Sequence, residues 1–330
     1  MALFDLPLAE LWDYRPATSP PDGLARFWTQ TLAEARAAAA PPVLTRVETT
    51  LPGVTSYDVT FTGFAGQPVK AWLNVPVGVP GPLPVAVEFI GYGGGRGLPH
   101  EWLLWAAAGY AHLVMDTRGQ GATWRAGDTP DPGPDGAGPA IPGYLTRGVL
   151  DPYGYYYRRL FADAVRAVEV VADLPGAADL PEIDPGRLLV CGGSQGGGLA
   201  LATASLVPDR VAAVVASVPF LCHIRRAVTI TDADPYHEVV RFCRVHPDRA
   251  DTVLATLDHV DVVHLVPRAA APALISVALM DQVCPPSTVF AAYHAYAGPK
   301  ELAVYQWDGH EGGRAHFTQR GLEFAARQLR

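Results

Sequence analysis

Leu188 to Leu206 reads LLVCGGSQGGGLALATASL. A run of aliphatic residues enters a cluster of glycines, one serine stands among them, and a helix-forming stretch leaves. This order predicts a strand, a tight turn and a helix. Gly192, Ser194 and Gly196 fall at the three defining places of G-x-S-x-G. That is the nucleophile elbow, in which a strained turn lifts a serine hydroxyl above the end of a sheet. Glycines suit it because a Cβ beside the serine would strike neighbouring backbone. The motif arises by chance roughly once in fifteen chains of this composition, so its setting between strand and helix carries the weight. The following helix also turns its positive end toward the serine, which favours a nearby oxyanion.

Outward from the turn, short apolar runs alternate with helical stretches from Pro84 to the end. PVAVEFI, AHLVMD, RLLVCGG, VAAVVASVPF, PALISVALMD and KELAVYQW read as strands, separated by HEWLLWAAAG, YYRRLFADAVRAVEVVADL, GGGLALATASL and PSTVFAAYHAYAG as helices. Such alternation predicts an α/β fold with a mostly parallel, buried central sheet flanked by helices. Before it, residues 1–82 read as a helical extension followed by antiparallel edge strands, TSYDVTFTGFAGQPVKAWLNVP. Between residues 221 and 267 the strand rhythm stops and DPYHEVVRFCRVH and RADTVLATLDHV read as helices, a small cap inserted between core segments 83–220 and 268–330. The whole of 1–330 is thus expected to be one domain. Residues 126–152 are rich in glycine and proline and predict a long loop after a strand, on the side of the serine.

The 330 residues carry a formal net charge of −8, with no dense run of lysine and arginine, which argues against nucleic acid or an anionic membrane as partner. No stretch approaches the ~18 unbroken apolar residues of a membrane span. The start, MALFDLPLAELWDYRP, lacks a basic segment ahead of its apolar residues. Cys191, Cys222, Cys243 and Cys284 form no CxxC pair. A reducing, cytoplasmic setting and a small uncharged ligand are expected.

A serine hydroxyl is a weak nucleophile unless a base takes its proton and a carboxylate orients that base. On this architecture the chain order is serine, acid, histidine. Leaving Asp308 aside, eight aspartates lie between Ser194 and His310, and only Asp281 closes an apolar strand pattern, at the sheet edge where ligand crevices form. His310 sits in the turn DGHEGG after ELAVYQW, whereas His294 lies within a helix and His316 begins one. Ser194, Asp281 and His310 are therefore the expected nucleophile, acid and base. The oxyanion requires backbone donors, expected from Gln195 and from Tyr92 in the loop GYGGGRG after VAVEFI. That loop does not space its glycines at i, i+2 and i+5, so it does not predict a dinucleotide site; HEGGR has Arg314 where H-E-x-x-H needs its second histidine, so no zinc or other cofactor is expected. Phe220 and Trp307 are aromatic residues near strand ends with the right chemistry to stack on a sugar ring.

Three signatures, Arg118-Gly119-Gln120-Gly121, Gly192-Gly193-Ser194-Gln195-Gly196 and His310-Glu311, occur in this order. With them come FDLPLAELWDYRP, IGYGGGRGLPHEWLLWAAAGY, TRGVLDP followed by YYYRR, and MDQVCPPSTVFAAY. Together they resemble carbohydrate esterase family 7, the acetyl xylan esterases and cephalosporin C deacetylases of the α/β-hydrolase superfamily. The resemblance implies an acyl-enzyme mechanism on acetylated small carbohydrates, such as xylo-oligosaccharides, with cephalosporin C as a further acetate carrier. It implies the same roles for Ser194, Asp281, His310, Tyr92 and Gln195, and a cytoplasmic homo-oligomer, commonly a hexamer. Arg118 and Glu311 are expected to be structural, Arg118 through bidentate pairing with a carboxylate. The Gly/Pro-rich stretch Gly127–Pro142 is longer than the family's usual segment. The other readings open to such a chain are a different carboxylesterase or a peptidase on the same fold, and a non-catalytic carbohydrate-binding relative.

Overall fold

The computed structural model describes residues 3–132, 142–174 and 180–329. The strands are β1 (Val43–Val47), β2 (Val54–Thr62), β3 (Pro68–Pro76), β4 (Leu83–Phe89), β5 (Ala111–Met115), β6 (Ile183–Gly193), β7 (Ala213–Ser217), β8 (Ala273–Ala278) and β9 (Lys300–Tyr305). They form one nine-stranded sheet in the order β1-β2-β3-β5-β4-β6-β7-β8-β9. The β1/β2, β2/β3 and β3/β5 pairs are antiparallel, and every pair from β5 to β9 is parallel. The mostly parallel sheet and antiparallel edge expected from the patterning are both present. Strands β5 and β8 are buried at every position because helices cover both faces, which is why they read as unbroken apolar runs.

After β4 the chain steps to β5 on one side and then returns to place β6 on the other. Strand order reverses there, and the loops leaving β4 and β6 diverge to opposite faces, opening a crevice at their carboxyl ends. Phe89 at the end of β4 is in register with Gly192 near the end of β6. The loop after β4 begins with Ile90 and the turn after β6 holds Ser194, so this crevice lies between the GYGGGRG loop and the serine.

The helices are α1 (Leu8–Asp13), α2 (Leu24–Ala37), α3 (Leu104–Ala107), α4 (Tyr156–Glu169), α5 (Gln195–Leu206), α6 (Ile224–Ile230), α7 (Tyr236–Val245), α8 (Ala250–Asp258), α9 (Val262–Leu265), α10 (Pro286–Ala295) and α11 (Arg314–Leu329). The first two dock rather than trail. Trp12 of α1 packs edge-on against Phe290 of α10, and Trp28 of α2 stacks on Phe161 of α4 while its indole N–H donates to the His259 carbonyl at 2.9 Å. Helices α6 to α9 fill the interval between β7 and β8.

One expected helix is mostly absent. HEWLLWAAAG forms only a single 3-10 turn, Pro99–Glu101, and the four-residue α3. Trp102 breaks it with φ −125° and ψ 55°, because its carbonyl accepts from the Asn74 side chain at 2.9 Å and its indole N–H donates to the Arg96 carbonyl at 2.6 Å. Tertiary hydrogen bonds outweigh local helix propensity here. Of the predicted loop, residues 133–141 lie outside the described residues, and with them most of the longer Gly127–Pro142 stretch.

Candidate active site

Ser194 has φ 55° and ψ −117°, a conformation that L-residues rarely adopt and that costs of order 1–3 kcal/mol. Two backbone bonds impose it: Ser194 N donates to the Ser217 carbonyl of β7, and Phe220 N donates to the Ser194 carbonyl, both at 2.9 Å. The flanking glycines make room. A Cβ on Gly192 would stand 2.5 Å from the Gly196 carbonyl carbon, and one on Gly196 would overlap the Phe89 carbonyl of β4. Every residue of α5 is buried, so the helix sits directly on the sheet, and its first turn, beginning with Gln195, follows Ser194 at the N-cap.

Asp281 follows β8 by three residues and is fully buried. Its Oδ1 accepts from Val283 N at 2.8 Å and Cys284 N at 3.0 Å, and its Oδ2 accepts from His310 Nδ1 at 2.9 Å. The carboxylate therefore fixes the imidazole through Nδ1. His310 and Ser194 line the same cavity of about 390 Å³, with Gly91, Tyr92, Thr123, Trp124, Pro142, Asp234, Pro235 and Val283. Cys284 lies beneath. Asp281, Cys284 and His310 present ligand atoms within 4.8 Å of one another, a spacing a metal ion could use. Burial and then the Asp281 charge push the Cys284 thiol well up, with the Ser194 hydroxyl beside it pulling the other way.

The loop carrying Tyr92 is held at several points. The Tyr92 carbonyl accepts from the Trp124 indole N–H at 2.9 Å, and Gly93 N donates to Gln120 Oε1 at 2.6 Å. The Tyr92 hydroxyl donates to Glu238 Oε1 at 2.7 Å and accepts from Tyr144 N at 2.9 Å and Gly143 N at 3.2 Å. Burial, reinforced by the Glu238 charge, raises the Tyr92 phenol far above its usual range, so it stays a donor. Burial also raises the Glu238 carboxyl, partly offset by the Tyr92 hydrogen bond. Gln120 also donates to Gln195 Oε1 at 2.9 Å, joining this loop to the elbow.

Arg118 is fully buried and forked on Asp163, Nε to Oδ2 at 2.5 Å and Nη2 to Oδ1 at 2.8 Å, with Nη1 on Gln67 Oε1 and Asp131 Oδ1. Gly119 and Gly121 carry φ of 66° and 103°, turning the chain so that Arg118 faces inward while Gln120 faces the elbow. Glu311 is exposed and pairs with Arg314 at 2.7 Å, away from the His310 ring contact with Asp281.

One expectation is corrected by the burial of Phe220, and Trp307 stands at the surface outside the cavity. Phe220 is completely buried, packed against Tyr236 with ring centroids 4.5 Å apart, and Trp307 is 71 % exposed; neither lines the Ser194 cavity. Phe220 follows the elbow's hydrogen-bonded strand and points into the core, whereas Trp307 lies past the end of β9. Beside Tyr92, the aromatic residue that lines the cavity is Trp124, whose only signal in the sequence is its place three residues after RGQG. Nothing in its neighbourhood marks Asp116 in the sequence. It is buried just ahead of Arg118 and accepts from Arg96 N, Asp128 N and Thr129 N, tying the loop after β5 to the glycine-rich loop after β4.

A strained serine at the mouth of a parallel sheet, at the point where strand order reverses, defines an α/β hydrolase. Solved structures with 16–20 % identity, among them an acylaminoacyl peptidase from Pyrococcus horikoshii at a TM-score of 0.57, share that fold. The match to the acetyl xylan esterase (AXE1) family model spans residues 1–328, and the chain belongs to that family. It is similar to the acetyl xylan esterase from Paenibacillus sp. R4 (37 % identity, TM-score 0.87, covering 98 % of this chain and 100 % of that one). It is also similar to acetyl xylan esterase 1 from Thermoanaerobacterium sp. JW/SL YS485 (32 %, 0.86, 99 % and 100 %). A curated relative, acetyl esterase Axe7A of Xylanibacter ruminicola, is 33 % identical over 163 residues, 49 % of this chain and 34 % of that protein, so the match spans about a third of its length. Fold and family place the protein among carboxylic ester hydrolases. No helix among the described residues is long and apolar enough to cross a membrane.

Proposed function

We propose that the protein is a serine esterase that removes acetyl groups from small carbohydrates, acetylated xylo-oligosaccharides foremost, through an acyl-enzyme. The observation that carries this reading is a strained Ser194 sharing one cavity wall with His310, whose Nδ1 is held by buried Asp281.

As Ser194 Oγ attacks the acetyl carbonyl carbon, His310 Nε2 takes its proton and the Nδ1–H bond to Asp281 stabilises the imidazolium. The carbonyl π electrons move onto oxygen, and the backbone N–H groups of Tyr92 and Gln195 hold that oxyanion. Collapse breaks the bond to the sugar oxygen, which leaves with the proton from His310, and Ser194 keeps the acetyl group. Water then repeats the sequence, His310 taking its proton, and acetate departs. The cavity's modest volume, near the lower end of the 300–1,000 Å³ typical of ligand sites, suits a small acyl group.

The same reading includes cephalosporin C as an alternative acetate carrier, a single domain capped by residues 221–267, a homohexamer and a cytoplasmic location. Family resemblance supports these points, and light scattering tests the assembly. The function is tested by Ser194→Ala and by ester chain length. Loss of acetyl-ester turnover in a folded Ser194→Ala protein, with a steep fall from acetyl to octanoyl esters in the parent, supports the proposal. Wild-type turnover in the variant removes Ser194 from the chemistry, and a preference for octanoyl esters or peptides replaces the deacetylase reading with another hydrolase.

A further inference from the structure

Glu238 comes from α7, in the helical segment between β7 and β8, yet its bonds go to the other side of the cavity. It is 7 % exposed. Its Oε1 accepts from the Tyr92 hydroxyl at 2.7 Å and its Oε2 from Leu145 N at 3.2 Å. A carboxylate this deep is costly when its direct partners are a phenol and one peptide N–H, since neither neutralises it. For packing alone, an apolar side chain would serve better.

The arrangement makes mechanical sense when followed outward from the phenol. The ring of Tyr92 stands edge-on to Tyr144 at 5.5 Å and to Phe220 at 6.1 Å, and its hydroxyl is saturated, donating to Glu238 and accepting from Gly143 N and Tyr144 N. At the other end, the Tyr92 carbonyl and the Gly93 peptide are pinned by Trp124 and Gln120. Side-chain tip and backbone are thus both clamped, and what remains to be oriented between them is the Tyr92 peptide N–H.

We infer that Glu238 is a positioning residue for the oxyanion: by fixing the Tyr92 phenol it holds the Tyr92 backbone N–H at the angle a tetrahedral intermediate needs. This rests on the proposal that Tyr92 N–H is an oxyanion donor. It makes the inserted helices part of the catalytic geometry. Binding of the ground-state ester does not depend on this angle, whereas the transition state does, so the effect falls on kcat and not on KM.

Two conservative variants test it with 4-nitrophenyl acetate. Tyr92→Phe removes one oxygen and leaves the backbone donor in place. Glu238→Gln keeps the shape but cannot accept from both the phenol and Leu145 N, because one of its two termini is an amide donor. Each variant is expected to lower kcat about tenfold with KM within about twofold, a fraction of the 10²–10³ lost when a donor is removed outright. Because both act through one contact, the double variant should lose no more than the worse single one. Wild-type kcat in either variant, a loss confined to KM, or losses that multiply in the double variant overturn the inference. If Glu238→Gln fails to fold, Tyr92→Phe decides alone. Ser194→Ala separates the two levels: an inactive Ser194→Ala beside a fully active Tyr92→Phe sinks only the positioning role, whereas an active Ser194→Ala sinks the reading beneath it.

Discussion

The side-chain amides of Gln120 and Gln195 meet head to tail, Gln120 Nε2 donating to Gln195 Oε1 at 2.9 Å. Both are fully buried. Gln120 Oε1 receives Gly93 N from the loop after β4, and Gln195 Nε2 reaches the Ile90 carbonyl at the root of that loop. Two signatures 75 residues apart thus brace one loop from two sides. Gln120→Ala strands Gly93 N and one acceptor site on Gln195, and at ~1–3 kcal/mol for each buried unsatisfied group it should destabilise the fold by roughly 3 kcal/mol. Denaturant unfolding reads this, and acetyl-ester turnover should fall as well. A fully stable, fully active variant would show that the pair is not a brace.

Asp281→Asn separates the two jobs of this carboxylate. The amide oxygen can still accept from Val283 N and Cys284 N, so the turn survives. The NH₂ end then faces His310 Nδ1 and forces the proton onto Nε2, where the base must be free. In serine hydrolases this wrong tautomer costs on the order of 10⁴ in kcat. A folded variant with such a loss is expected in single-turnover assays; a loss below about tenfold would argue against His310 as the base.

Gly196→Ala probes the contact between α5 and the sheet. The added methyl meets the Phe89 carbonyl oxygen, and neither backbone can retreat without breaking the β4/β6 register. Overpacking of this kind costs roughly 3 kcal/mol or more, which should lower the melting temperature by ~5 °C or more or abolish soluble expression. Scanning calorimetry checks it.

His223 offers a pH test away from the cavity. Burial, helped by the Arg226 charge, pushes its imidazole down to about 4 from an ordinary 6.5. Between those values the unfolded chain binds a proton that the folded one refuses, so this contribution is whole above pH 6.5 and is lost as pH falls toward 4. Neighbouring Asp261 runs the other way: burial raises it to about 7, so its share of stability is lost as pH rises. The wild-type minus His223→Asn difference isolates the histidine. Asparagine tolerates the φ of 46° at this position. The difference in melting temperature should shift against the wild type from pH 7 to pH 4.5; a pH-independent difference would mean His223 titrates alike in both states.

Much of the candidate site was legible because its parts are local. G-x-S-x-G is a backbone requirement written in three adjacent positions, and Asp281 and His310 each follow an apolar strand. Trp124, Asp116 and Glu238 were not legible, since nothing in their neighbourhoods marks them. Each acquires its role from a partner far along the chain, as Glu238 does from Tyr92, 146 residues away. Phe220 shows the converse: an aromatic at a strand end looks the same in sequence whether it faces a crevice or the core.

Chain order and side-chain periodicity determined the alternation of strands and helices, the parallel sheet and the turn that strains Ser194, because these follow from short-range sterics and the burial of apolar faces. Packing decided which aromatic reaches the cavity, that HEWLLWAAAG would break at Trp102, and that a carboxylate from the inserted helices would clamp the loop after β4. Those outcomes depend on which polar groups find partners once water is excluded, and that is settled only when distant segments are brought together.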